Sequence, residues 1–205
     1  MMLKPLNLIA PDPQFFAGYA NRLSDVLQNS AWAGVSLLAK DMHTAWKNGR
    51  QVFFCGNGGS AGNAIHLAND FIYGVAKQTG AGIRAVALSA NSAVMTCLAN
   101  DVGYDHIYSE QLAVLGNPGD VLVVLSGSGN SPNILKVLEC AKAREIKSYA
   151  ILGFSGGKAK ELANESIHFP VEDMQIAEDM QLVVGHMLMQ WLYANRPVSQ
   201  FSRSL

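Results

Sequence analysis

Residues 52–71 read VFFCGNGGSAGNAIHLANDF. An apolar run breaks at Gly56, Asn57, Gly58, Gly59 and Ser60, and a helical pattern then resumes with His66 and Asp70 four positions apart. That spacing puts an imidazole and a carboxylate on one helical face. Further along, VLVVLSGSGNSPNIL repeats the plan: an apolar run, a turn from Ser126 to Ser131, and a helix with Pro132 near its start. Such turns suit anions. Glycine lets backbone amides converge without a Cβ in the way, and the helix N-terminus adds positive partial charge. The hydroxyls of Ser126, Ser128 and Ser131 add donors at the same place. One such turn is as well explained by a tight strand-to-helix connection; two of them favour phosphate or a sugar phosphate. Neither is a P-loop, because no Gly-Lys-Ser/Thr follows, and neither fits GxGxxG with an acidic residue on the next strand.

The elements that must hold these residues are short apolar runs alternating with helical patterns. The runs 51–56, 83–89, 121–126, 148–153 and 166–171 predict strands. Helices are predicted over 14–29 and 31–48, then at 60–76, 91–99, 107–115, 131–144, 156–163 and about 177–194. Alternation of this kind implies a parallel sheet covered on both faces. The expectation is one α/β domain over 1–205: an N-terminal helical pair (about 14–48) and a three-layer αβα core (about 51–194) with a five-stranded parallel sheet. Ligands of such sheets bind beyond the carboxyl ends of the strands, which is where both glycine-rich turns fall. The polar tail after Pro197 is expected to fray.

The bulk numbers narrow the partners. With 49% hydrophobic and only 15% charged residues, the chain can bury a substantial core and is lean in surface charge, as surfaces buried between subunits are. A formal charge of -1 makes no electrostatic case for nucleic acid or an anionic membrane. Cys55, Cys97 and Cys140 are spaced for neither a disulfide framework nor a zinc knuckle and read as reduced core residues of a cytoplasmic protein. Pro5 and Pro11 interrupt the apolar N-terminus, so no signal peptide is expected, and no run is long enough to span a membrane.

GNGGSAGNAIHLANDF, LANDVGYDHIYSEQL and GDVLVVLSGSGNSPNILKVLECAK together resemble the SIS (sugar isomerase) domain family, and most of all its sedoheptulose 7-phosphate isomerases, the phosphoheptose isomerases of bacterial surface-heptose (lipopolysaccharide) synthesis. The resemblance runs from about residue 15 to 194. It implies a flavodoxin-like sheet, a homotetramer, and active sites at subunit interfaces. It also implies that Asn57, Gly58, Gly59 and Ser60, Asn100 and Asp101, and Ser126, Gly127, Ser128 and Ser131 bind substrate; the family usually has Thr where this chain has Gly127. His66 and Asp70 match the family's zinc-binding His and Glu. His186, with Glu178 eight positions before it, matches the His and Gln of the C-terminal helix. The implied cofactor is zinc or another divalent metal, one per site, on His66, Asp70, Glu178 and His186.

Aldose–ketose isomerisation needs a carboxylate base, a second acid/base and an electrophile for the two oxygens. Asp70 or Glu178 as base and His186 as its partner meet that need. The expected function is therefore isomerisation of a sugar phosphate, sedoheptulose 7-phosphate to D-glycero-D-manno-heptose 7-phosphate. The alternative is a non-catalytic SIS protein that binds a sugar phosphate or a protein partner, of the initiator-associating type. Asp70 is one methylene shorter than Glu, and Glu178 is charged where Gln is neutral. Of the remaining candidates, His106 is expected at the pocket rim or an interface and Glu110 in a structural place. His43 is read as a solvated helix residue and His168 as an outward strand residue. Met174, Met180, Met187 and Met189 are read as core or interface packing.

Overall fold

The run Val121–Ser126 is buried at every position, and a strand without alternation must be covered on both faces. In the computed structural model, which describes residues 11–77 and 80–197, it is the middle strand of a single sheet. The strands are β1 (Gln51–Gly56), β2 (Arg84–Ala87), β3 (Val121–Ser126), β4 (Lys147–Leu152) and β5 (Glu165–His168). Their order is β2-β1-β3-β4-β5 with every pairing parallel. The helices are α1 (Pro13–Asn29), α2 (Ala33–Lys47), α3 (Gly59–Ile72), α4 (Ser92–Asp101), α5 (Ser109–Leu115), α6 (Pro132–Ala143), α7 (Ala159–Leu162) and α8 (Met174–Ala194). The expected α/β class and five-stranded parallel sheet are the observed ones.

Two compact units divide the chain, residues 1–31 and 32–205. The first holds α1, capped by Asp12, whose carboxylate accepts from the Gln14 amide. Both helices of the expected N-terminal pair form close to their expected bounds, but they fall in different units. The tail after Pro197 lies outside the described residues.

In the second unit, alternate residues of the strands serve opposite layers. Phe53, Cys55, Leu122, Val124, Ala150 and Leu152 face a core completed by α5 and α6, with α4 packed against it. On the other face α2, α3 and α8 pack together against the sheet. α8 begins three residues earlier than its apolar pattern suggests. Asp173 caps it, accepting from the Gln175 and Ile176 amides at 3.1 and 3.3 Å, a start signal that periodicity alone does not register. Cysteine placement also departs from expectation: Cys55 is buried, but Cys97 is exposed and Cys140 only half-buried. Among the described residues, no helix is long and apolar enough to cross a membrane.

Candidate active site

Gly56 at the end of β1 pairs with Leu125 of β3, so the two glycine-rich turns leave the sheet side by side. From β1 the chain crosses outward to β2, and from β3 it proceeds the other way. That reversal is the switch point at which open α/β sheets take their ligands. The two turns therefore form one crevice.

Side chains tie the turns together. Asn57 Nδ2 donates to Asn133 Oδ1 at 2.9 Å, and Asn133 Nδ2 donates back to Asn57 Oδ1 at 2.8 Å. Tyr104, in a 3₁₀ turn just past α4, donates its hydroxyl to Asn57 Oδ1 at 3.2 Å. Buried Tyr108 donates to the Gly56 carbonyl, and burial holds both its hydroxyl and the Cys55 thiol above their ordinary ranges. Both stay neutral. Asn100 and Asp101 occupy the last turn of α4 rather than following it. They bond to each other at 2.7 Å, and Asp101 also accepts from Cys97 Sγ at 3.5 Å.

Within the second turn, Ser126 is buried and its Oγ accepts from the Gly129 amide at 3.0 Å, so it ties the loop to itself. Ser128 accepts from the Asn130 amide at 3.3 Å. Ser131 stands at the N-cap of α6 without a side-chain capping bond, which leaves its hydroxyl and the Asn133 amide for an anion, since Pro132 has no N–H and the Ile134 and Leu135 amides donate to the Ser131 carbonyl. The loop after β4 braces this turn: the amides of Gly153 and Ala159 donate to the Gly127 and Gly129 carbonyls at 3.0 and 2.9 Å. Met174 lies over Gly127, where a Cβ would stand only 2.5 Å from its sulfur. Expected as core or interface packing, Met174 thus fills the place that a side chain at position 127 would take.

Behind the first turn, α3 and α8 touch at Gly185, where a Cβ would come within 2.1 Å of Leu67. Leu67 follows His66 and Gly185 precedes His186, so this close approach brings the two imidazoles together. Their Nε2 atoms are 3.1 Å apart. Asp70 Oδ2 lies 3.4 Å from the first and 3.6 Å from the second. These ligand atoms all fall within 4.8 Å of one another. Two imidazoles and a carboxylate with converging lone pairs suit zinc, which takes three protein ligands at catalytic sites.

Glu178 does not join them. Its carboxylate rests on Gly59, where a Cβ would come within 2.3 and 2.5 Å of the two oxygens. Eight residues along α8 amount to about 12 Å of rise, so Glu178 reaches the crevice turn while His186 reaches the far half of α3. A buried amide network fixes this register. Gln181 donates to Ser60 Oγ at 3.0 Å and accepts from Asn63 at 3.0 Å, and Asn63 also donates to the Glu178 carbonyl at 3.0 Å. The expected four-residue metal set is corrected to three, with Glu178 beside the first glycine-rich turn. Nor do the three share a pocket with the turns. They line a groove of about 470 Å³ with Tyr73, Lys77, Met189 and Gln190.

Asn63, Tyr104, Asn133 and Gln181 escaped the reading of the sequence. The signal for Gln181 was an amide inside the apolar run of α8, which must find a buried partner. His106 lies 3.9 Å from Glu110. His168 is not outward: its Nε2 donates to the Phe154 carbonyl at 2.8 Å, and its Nδ1 lies 3.2 Å from Lys160 Nζ.

A doubly covered sheet with an anion crevice at its switch point and a histidine–carboxylate group behind it defines a class of sugar-phosphate proteins. The SIS domain family matches residues 14–153, and the chain belongs to it. Its relatives are more particular. A phosphoheptose isomerase of Rhodospirillum rubrum is 41% identical over 140 residues, covering 68% of this chain and 74% of that one. One of Akkermansia muciniphila is 39% identical over 142 residues, covering 69% and 75%. Among solved structures, a phosphoheptose isomerase from Francisella tularensis superposes with a TM-score of 0.82 at 27% identity, over 88% of this chain and 95% of that one. The enzyme from Neisseria gonorrhoeae gives 0.78 at 26%, over 87% and 98%.

Proposed function

We propose that this chain is a phosphoheptose isomerase that converts sedoheptulose 7-phosphate to D-glycero-D-manno-heptose 7-phosphate, an intermediate of surface-heptose synthesis. The observation that carries the reading is the meeting of His66, Asp70 and His186 behind the crevice, in a chain 41% identical to an isomerase of that name. The phosphate of the sugar sits on Ser128, Ser131 and the Asn133 amide at the start of α6, in the turn held by Ser126 and Gly127. Its far end lies along Asn57, Gly58, Gly59 and Ser60, with Asn100 and Asp101 assigned to the sugar by the family resemblance. Anchoring both ends aligns the reacting carbons.

The reaction moves one proton from C1 to C2 while the two oxygens exchange carbonyl and hydroxyl roles, so nothing is gained or lost overall. Glu178, seated on the substrate turn, is the residue placed to take and return the carbon-bound proton; Asp70 is the other carboxylate able to do so. His186 serves as the acid/base that shifts the proton between oxygens, where a subunit interface brings the histidine group of one protomer to the glycine-rich turns of another. His66, Asp70 and His186 would hold zinc or another divalent metal, which when bound supplies a Lewis acid for the two oxygens.

The protein works as a cytoplasmic homotetramer whose interfaces complete the site. Exposed Ile65 and Ile72 on α3 and Tyr73 just past it, together with Met187 and Trp191 on α8, support that assembly. So does an apolar groove of about 540 Å³ between α2 and α8.

The test is conversion of sedoheptulose 7-phosphate by the zinc-loaded protein, followed by NMR, with bound metal measured separately. His186→Ala should lose most of both metal and turnover. Binding of the sugar without conversion by the wild type would replace the isomerase reading with a binding-only one.

A further inference from the structure

Asn57 has two lone pairs on Oδ1 and two hydrogens on Nδ2. Three of these four are already spent inside the protein. Asn133 takes one hydrogen and one lone pair, at 2.9 and 2.8 Å, and the Tyr104 hydroxyl takes the second lone pair at 3.2 Å. A facing pair of carboxamides would by itself be indifferent to turning both groups over. Tyr104 biases the pair toward the observed orientation by donating to Oδ1, because a phenol hydroxyl is a stronger donor than acceptor. What remains for anything in the crevice is a single N–H on a half-buried side chain.

We infer that Asn133 and Tyr104 are positioning residues that lock Asn57 as a one-hydrogen donor toward an oxygen of the bound sugar. Asn133 is suited to hold it, because the residue is 1% exposed and sits immediately after the proline that opens α6. It thereby ties the orientation of the first turn to the helix whose N-terminus carries the second. Tyr104 is 55% exposed, so its hydroxyl contact contributes orientation more than burial. The assignment of a sugar oxygen rests on the sugar-phosphate reading above; the locked amide does not.

The test uses two substitutions in the full chain. Asn133→Asp keeps the shape but replaces the donor with an acceptor, which draws both Asn57 N–H groups inward; a carboxylate in the first turn of a helix is tolerated there. Tyr104→Phe removes only the hydroxyl. Calorimetric affinity for sedoheptulose 7-phosphate should fall about tenfold for Asn133→Asp and a few-fold for Tyr104→Phe, as loss of one aligned hydrogen bond implies. Each, combined with Asn57→Ala, should lose no more than Asn57→Ala alone. Losses that multiply in the double variants, or wild-type affinity in Asn133→Asp, would overturn the inference.

A second readout needs no ligand. The Asn57 side-chain amide protons, observed by ¹⁵N–¹H NMR, should be inequivalent in the wild type, with one protected from solvent exchange. Asn133→Asp should shift both. Unchanged resonances in Asn133→Asp overturn the lock, whether or not the sugar binds. Shifted resonances in a protein that fails to bind the sugar support the lock and sink only the choice of substrate. Should Asn133→Asp not fold, Tyr104→Phe decides through the same resonances and the same double variant.

Discussion

Gly59→Ala separates stability from function in a way that few substitutions in this chain would. Gly59 opens α3 with an unstrained backbone, so alanine meets no conformational obstacle there. Its helix propensity and the lower entropy of the unfolded chain favour the folded state by roughly 0.5–1 kcal/mol. The new Cβ would, however, stand 2.3 and 2.5 Å from the Glu178 oxygens, where ordinary contact begins near 3.4 Å. The carboxylate must retreat by about 1 Å, and a displacement of that size in a reacting group can cost on the order of 10²-fold in rate. The side chain is a flexible end, so the clash resolves by its moving rather than by unfolding. The expected result is an unchanged or slightly raised melting temperature with kcat for sedoheptulose 7-phosphate down roughly a hundredfold. Steady-state kinetics and differential scanning calorimetry on the same preparation give both numbers. Activity within threefold of wild type at full stability would refute the placement of Glu178 in the chemistry. A melting temperature several degrees lower would instead show that the contact cannot relax.

Gln181→Leu should destabilise the protein by about 2–3 kcal/mol, because it strands Ser60 Oγ and removes one partner of Asn63 in a buried place; the melting temperature should drop by about 5–10 °C, and a fall under 2 °C would contradict the network. Alkaline pH should weaken the fold. Burial raises the folded-state pKa of Cys55, so its contribution is complete below the unfolded thiol's pKa and is lost as pH rises beyond it. Stability should fall above about pH 8.5 by up to 1.4 kcal/mol per pH unit, with Tyr108 adding to the slope above about pH 10. Urea midpoints across pH 7–10 measure this, and a Cys55→Ala chain with the wild-type slope would remove Cys55 as the cause.

The strands and the two turns were legible in the sequence because each is written locally. An unbroken apolar run as short as Val121–Ser126, bounded by turn residues, reads as a doubly covered strand, and a glycine-serine turn ahead of a helix has the local chemistry to take an anion. The face carrying His66 and Asp70 was equally local, since periodicity fixes direction around a helix axis. Periodicity does not fix how far one helix slides along another. That offset between α3 and α8 is set where Gly185 meets Leu67 and where Gln181 finds Ser60 and Asn63. It decides that His186 reaches His66 across 120 residues of sequence while Glu178 reaches Gly59. The pairing of Asn57 with Asn133, 76 residues apart, belongs to the same kind. Carboxamides and carboxylates bond to whatever partner the packing brings within about 3 Å, and packing is settled only by the whole chain.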